Sequence, residues 1–241
     1  MITYDNLQQS IYGSNYFEKP SSDVTIREKQ NKDKKDTLTK VEIVTKGTAL
    51  SISNSLLKDS SNAYKKINAN ISLKKDCDGI LLVEKDSKHY LVLIELKSHF
   101  NSEIKKAIYQ IATSDVRIKH KLSAIDTYIP NEYQEIGVVI SFPPKNEISD
   151  NDVIERRNNL ITGIYDSVTD RCKHKFKKGE SITLQPSDFP ELAELNISRN
   201  INISNLQLFN VQVQEGTSSA TVNLDELLSY RAKGLYQDRY I

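Results

Sequence analysis

Residues 76–97 carry the clearest pattern in the chain: two nearly continuous runs of Ile, Leu and Val separated by the polar stretch Lys85-Asp86-Ser87-Lys88. Such runs predict a hairpin of two strands buried on both faces. A strand at 41–44 is predicted upstream, while 49–57 mixes apolar residues with serines at a spacing that suits either helix or strand. Downstream, Ile104, Ile108, Ile111 and Ile118 recur at helical spacing and predict a helix over 102–118. Its opposite row, Glu103, Lys106, Gln110, Ser114 and Arg117, reads as a solvated face, with Gln110 at the boundary of the apolar stripe. A buried strand at 135–142 is stopped by Pro143 and Pro144. A second helix is expected over 152–170, a late hairpin from 206–214 and 220–224 around the turn 215–219, and a short helix at 225–230.

Strand, hairpin strand, helix, strand is an α/β order in which the helix is the crossover for a parallel return, so the expected fold is a mixed central sheet flanked by helices. Three segments are expected within one domain: a polar N-terminal arm at 1–37, a core at 38–180, and a C-terminal extension with β content at 181–241. The charge run 29–36 has no apolar period, which suits a solvated arm or, alternatively, a basic arm on a phosphate backbone.

The charges at the margins of the hairpin have no packing reason to be there. Asp78 opens the first strand, and Glu95 and Lys97 close the second at positions i and i+2, on one face. A closed hairpin brings the Asp78 end beside the Glu95 end, so two carboxylates and an ammonium share one spot. Paired oxygen ligands of this kind suit Mg²⁺ or Mn²⁺ when water and substrate phosphate complete the coordination. The bland alternative is a surface salt bridge at the rim of the sheet, worth about 0 to 1 kcal/mol.

With those residues placed, the sequence resembles the restriction-endonuclease-like superfamily, the PD-(D/E)XK nucleases. The resemblance rests on Asp78-Gly79, an apolar strand, a turn, a strand ending Ile94-Glu95-Leu96-Lys97, and a following helix with Gln110, and it covers roughly 71–142. Cys77 stands where the family name has proline, and Ser114 where a tyrosine often follows the helix glutamine. The resemblance implies a restriction-endonuclease-like core in which Asp78 and Glu95 bind the metal, Lys97 orients or activates the attacking water, and Gln110 joins the catalytic set. It also implies a metal-dependent phosphodiester hydrolase, endonuclease or exonuclease, acting on nucleic acid, with DNA favoured over RNA. Such nucleases serve antiviral defence, often beside a partner ATPase or helicase, and many work as homodimers. The alternative is a degenerate module of the same fold that binds nucleic acid or a protein without cutting.

Composition narrows the rest. The 241 residues have a net charge of +1, so no global field draws the chain to nucleic acid and any basic surface is local. The densest basic run is 171–178, where Arg171, Lys173, Lys175, Lys177 and Lys178 interleave with a His and a Phe. It suits a nucleic-acid backbone and equally a solvated helix end, where cations favour the dipole. Two cysteines, Cys77 and Cys172, stand in no metal-ligand spacing, and the four histidines read as packing or surface residues. With no signal-peptide pattern and no membrane-length apolar run, the expected location is cytoplasmic, away from membranes.

Overall fold

The computed structural model describes residues 2–28, 37–59, 64, 73–143, 168–193, 195 and 197–230. It is a mixed α/β fold built on one open sheet of eight strands. These are β1 (Ser21–Arg27), β2 (Lys40–Ile52), β3 (Gly79–Lys85), β4 (Lys88–Lys97), β5 (Tyr133–Ser141), β6 (Ile182–Leu184), β7 (Leu206–Gln212) and β8 (Ser219–Asn223). The order is β1-β2-β3-β4-β5-β7-β6, with β8 paired to β2. Among the described residues six α-helices accompany the sheet: α1 (Tyr4–Gln8), α2 (Ser55–Lys58), α3 (Phe100–Leu122), α4 (Val168–Lys177), α5 (Pro190–Ala193) and α6 (Leu224–Tyr230). None of the described helices is long and apolar enough to cross a membrane.

The hairpin forms as the pattern predicts. β3 and β4 are antiparallel in the register Gly79↔Ile94, and they turn through Asp86 and Ser87, both at positive φ (51° and 58°). Those angles belong to the turn whose twist matches that of the flanking strands. The helix α3 then crosses over so that β5 returns parallel to β4.

β4 is buried on both faces, for a reason the pattern alone does not give. Leu91 and Leu93 join one core with Ile104, Ile108 and Ile111 of α3. Val92, Ile94 and Leu96 face a second core with Ile43 of β2, Val222 of β8 and Leu227 and Leu228 of α6. Helices cover the first face, while the second is closed by α6 together with β1, β2 and β8 at the sheet's curled margin. β2 makes that curl: its 48–52 half pairs with β3, and its 40–44 half pairs with β8 along the edge that β3 has left. At the bend a side chain on Gly47 would lie 2.3 Å from the Glu84 carbonyl oxygen, so only glycine fits there.

Several expectations change. The segment before residue 38 is no free arm in its described part, because β1 lies antiparallel to β2 and buries Val24 and Ile26; the charge run 29–36 lies outside the described residues. Residues 49–57 divide into strand to Ile52 and the short helix α2. The late hairpin does not form: β7 inserts between β5 and β6, and β8 runs parallel to β2 instead. Both edges of β7 are taken, whereas β2 has an edge to fill. Most of the helix expected over 152–170 lies outside the described residues, and helical structure is described from Val168.

Candidate active site

Asp78 sits one step beyond the last registered pair of the hairpin, opposite Glu95 on the neighbouring strand. Its amide donates to the Ile94 carbonyl at 2.8 Å, and its Oδ2 accepts from the Leu96 amide at 2.9 Å. Glu95 and Lys97 project to the α3 side of the sheet with Leu91 and Leu93. Glu95 is 1% exposed and Lys97 4%, and the ammonium donates to Glu95 Oε1. This is a buried pair, not the surface pair of the bland alternative, and such a pair is costly to form without further partners. Glu95 Oε2 is buried with no hydrogen-bond partner among the described residues.

The segment that delivers Asp78 is held at every peptide. Gln110 Nε2 donates to the Asp76 carbonyl (2.8 Å), and the Thr113 hydroxyl, whose nearest acceptor is the Tyr109 carbonyl of its own helix (2.7 Å), also lies 3.1 Å from the Lys75 carbonyl. Asn54 Nδ2 donates to the carbonyls of both Cys77 (2.8 Å) and Asp78 (2.9 Å). The Cys77 amide donates to Ser114 Oγ at 2.8 Å. Arg117, fully buried, is ion-paired with Asp76 and donates to the Leu57 carbonyl. The row Gln110, Ser114 and Arg117 is therefore not solvated, because it meets a polar loop instead of water. Gln110 is spent on the Asp76 carbonyl, which makes it a positioning residue, although its Oε1 is buried without a partner. Preorganisation of this kind holds a ligand set in one geometry before anything binds.

Charge accumulates at this end of the sheet. Burial pushes the Asp78 carboxyl upward, against the Leu96 amide, Lys97 and a hydrogen bond with the Glu95 side chain. Burial and then Asp78 push Glu95 well above the ordinary carboxylate range, against Lys97. Burial alone would lower Lys97, but Glu95 and Asp78 more than offset it and its proton is held more tightly than usual. The two carboxyl shifts are chiefly the cost of burial, and the rise at Lys97 reports the carboxylates gathered around it.

Two further residues reach the site. Glu28, half-buried, is raised by burial and by Asp78. Its amide donates to the Thr39 carbonyl, and Leu38 next along donates to Ser98 Oγ, the neighbour of Lys97. The alternation Val24, Ile26, Glu28 was its only sequence signal. Ile26 lies over Gly79 on the second-core side of the sheet, where an added Cβ would come within 2.5 Å of Ile26 Cδ1, so β1 ends beside the strand end that carries Asp78. Lys106 is exposed on α3 and acts on Glu28, Asp78 and Glu95.

The basic run forms α4. Phe176 meets Phe100 edge to face at 6.4 Å, which places this helix beside the start of α3, three residues beyond Lys97. Within the run Arg171 is ion-paired with Asp188 and Lys175 with Glu180, while Lys173 is half-buried and Lys177 and Lys178 are exposed. Cys77 and Cys172 are free buried thiols, both pushed upward chiefly by burial. His99 is the N-cap residue of α3.

Asp78 and Glu95 fit a hard divalent cation in one specific sense: a buried carboxylate oxygen is left for it, and a second carboxylate stands opposite. No group of three or more His, Cys, Asp and Glu ligands occurs among the described residues, so water and substrate would supply the other positions. Compared with models of protein families, with curated proteins and with solved structures, the chain matches none of them.

Proposed function

We propose that the protein is a metal-dependent nuclease that hydrolyses phosphodiester bonds in DNA, built on a restriction-endonuclease-like core. The observation that carries this reading is the buried carboxylate pair itself: Glu95 faces Asp78 on the same side as Lys97, and no described residue other than the Asp78 carboxyl is placed to satisfy Glu95 Oε2. A buried carboxylate oxygen without a donor is unfavourable by about 1–3 kcal/mol or more, and a fold keeps such an atom where a ligand compensates it. Mg²⁺ or Mn²⁺ held there by Asp78 and Glu95 would supply an acidified water and screening of phosphate charge.

The chain's own groups do the rest. Lys97 is protonated and pinned beside Glu95, so its ammonium can orient a water and stabilise charge on the phosphate oxygens. Thr113, Gln110 and Asn54 keep the Asp78 segment from relaxing toward solvent. Lys177 and Lys178, exposed at and just beyond the end of α4, are cations that a DNA backbone would engage.

The test is cleavage of plasmid and single-stranded DNA with Mg²⁺, Mn²⁺ or EDTA, using wild type, Glu95→Gln and Lys97→Ala. Loss of cutting by at least a hundredfold in both variants, with far-UV circular dichroism unchanged, is expected on the scale of one lost catalytic donor. Metal-dependent cutting at wild-type rate in either variant overturns the assignment. A second reading, a binding module of the same fold without catalysis, is favoured by the lack of a third ligand among the described residues. It predicts salt-sensitive DNA binding indifferent to Mg²⁺.

A further inference from the structure

We propose that Lys106 is the substrate-phosphate contact of this site, a cation that admits a DNA phosphodiester to a carboxylate-rich pocket that would otherwise repel it. The inference rests on the nuclease reading above and adds a residue that neither the motif nor the resemblance contains.

Its position follows from hydrogen bonds on either side of it along one face of α3. One turn earlier, Glu103 Oε2 accepts from the His99 amide at 3.0 Å, tying that turn to the segment just beyond Lys97. One turn later, Gln110 donates to the Asp76 carbonyl, tying that turn to the segment just before Asp78. Residues three and four apart on a helix are surface neighbours. Lys106 therefore stands over the gap between the two strand ends that carry Asp78 and Lys97.

Unlike Lys97, which is buried against Glu95, Lys106 is exposed, and no hydrogen bond or ion pair of its ammonium occurs among the described residues. It is a long, solvated cation held beside carboxylates without being committed to any of them.

Charge balance gives it a task. Glu28, Asp78, Glu95 and Glu103 surround Lys97 and Lys106, so once cation binding has displaced the carboxyl protons the protein groups carry two excess negative charges. A divalent cation brings that to neutrality. Without Lys106 the loaded pocket would still be negative, and a phosphodiester, itself an anion, would be repelled. Lys97 cannot supply this charge at the entrance, because its ammonium is turned inward to Glu95.

This placement makes a prediction of opposite signs. Lys106→Ala should weaken DNA and strengthen metal, because the same ammonium attracts the one and repels the other. The probe for DNA is a fluorescent DNA hairpin with a single-stranded tail, titrated in Ca²⁺ over a salt series. The probe for metal is Mn²⁺ alone, by calorimetry. Lys106→Ala is expected to bind the hairpin roughly tenfold more weakly, the scale of one charge-assisted hydrogen bond, with a salt slope smaller by about 0.7–0.9. Mn²⁺ should bind about fivefold more tightly, since a like charge nearby has gone. Lys106→Arg should restore the salt slope, and Lys105→Ala, an exposed cation on a different face of the same helix, should change neither property.

If wild type binds Mn²⁺ in a manner lost in Glu95→Gln, but Lys106→Ala matches wild type for both ligands, the role of Lys106 is overturned and the nuclease reading stands. Weaker DNA binding with unchanged Mn²⁺ affinity also overturns it, since a cation remote from the carboxylates would give that result. Absence of any Glu95-dependent Mn²⁺ binding in wild type removes the nuclease reading, and the proposed contact with it.

Discussion

Replacing Arg117 by Met tests whether the clamp on the Asp78 segment is as dry as it looks. The guanidinium is fully buried, ion-paired with Asp76, bonded to the Leu57 carbonyl, and placed 4.7 Å from the centre of the Tyr64 ring. Methionine keeps most of the volume and removes all three polar interactions. Stranding the partner of a buried ion pair costs about 3–5 kcal/mol, and loss of the ring contact adds about 0.5–1 kcal/mol. A domain of this kind has about 5–15 kcal/mol in total, so the variant should unfold at a far lower urea concentration with an unchanged m-value. Circular dichroism is the assay, because the chain has no tryptophan. The double variant Asp76→Asn, Arg117→Met should lose less than the single variant, because the buried negative charge is removed together with its cation. A loss below about 1 kcal/mol in the single variant would put the pair in the range of exposed salt bridges and refute the argument that this face of α3 is sealed.

The remaining predictions concern stability elsewhere. Asp115 is fully buried beside Lys119 of its own helix, Glu135 of β5 and Tyr128 of the preceding loop, and burial pushes its carboxyl up to about 7. The folded state then holds a proton that the unfolded chain releases at ordinary carboxylate pH, so stability should fall as pH rises from about 4 to about 7, by at most about 1.4 kcal/mol per pH unit. Asp115→Asn should flatten that slope in urea titrations, and an unaltered slope would clear Asp115 of the effect. Ser87→Gly relieves one left-handed residue in the β3–β4 turn and should gain up to about 1 kcal/mol, measured as a higher urea midpoint. A lower midpoint would mean that the turn is not strained.

Local periodicity was enough for the centre of the molecule. The alternation that puts Glu95 and Lys97 on one face, the turn at Asp86 and Ser87, and the stripe Ile104, Ile108 and Ile111 each depend on neighbours within a few residues, and each stands in the fold as read. Polar residues were harder. Gln110, Ser114 and Arg117 have the spacing of a solvated row, and nothing in that spacing tells water from the carbonyls of a distant loop. Glu28 was hidden for a similar reason, since it reaches the site only because β1 folds back along β2.

By itself the sequence determined the hairpin, the crossover helix and the meeting of Asp78 with Glu95, because those features follow from side-chain direction along short stretches of backbone. Tertiary structure alone decided that β8 joins β2 and not β7, that α6 and a curled sheet margin cover the second face of β4, and that Glu28 and Lys106 stand beside the carboxylates. Edge pairing and long-range burial are settled by which surfaces remain unfilled once the rest of the chain is in place, and no local pattern carries that information.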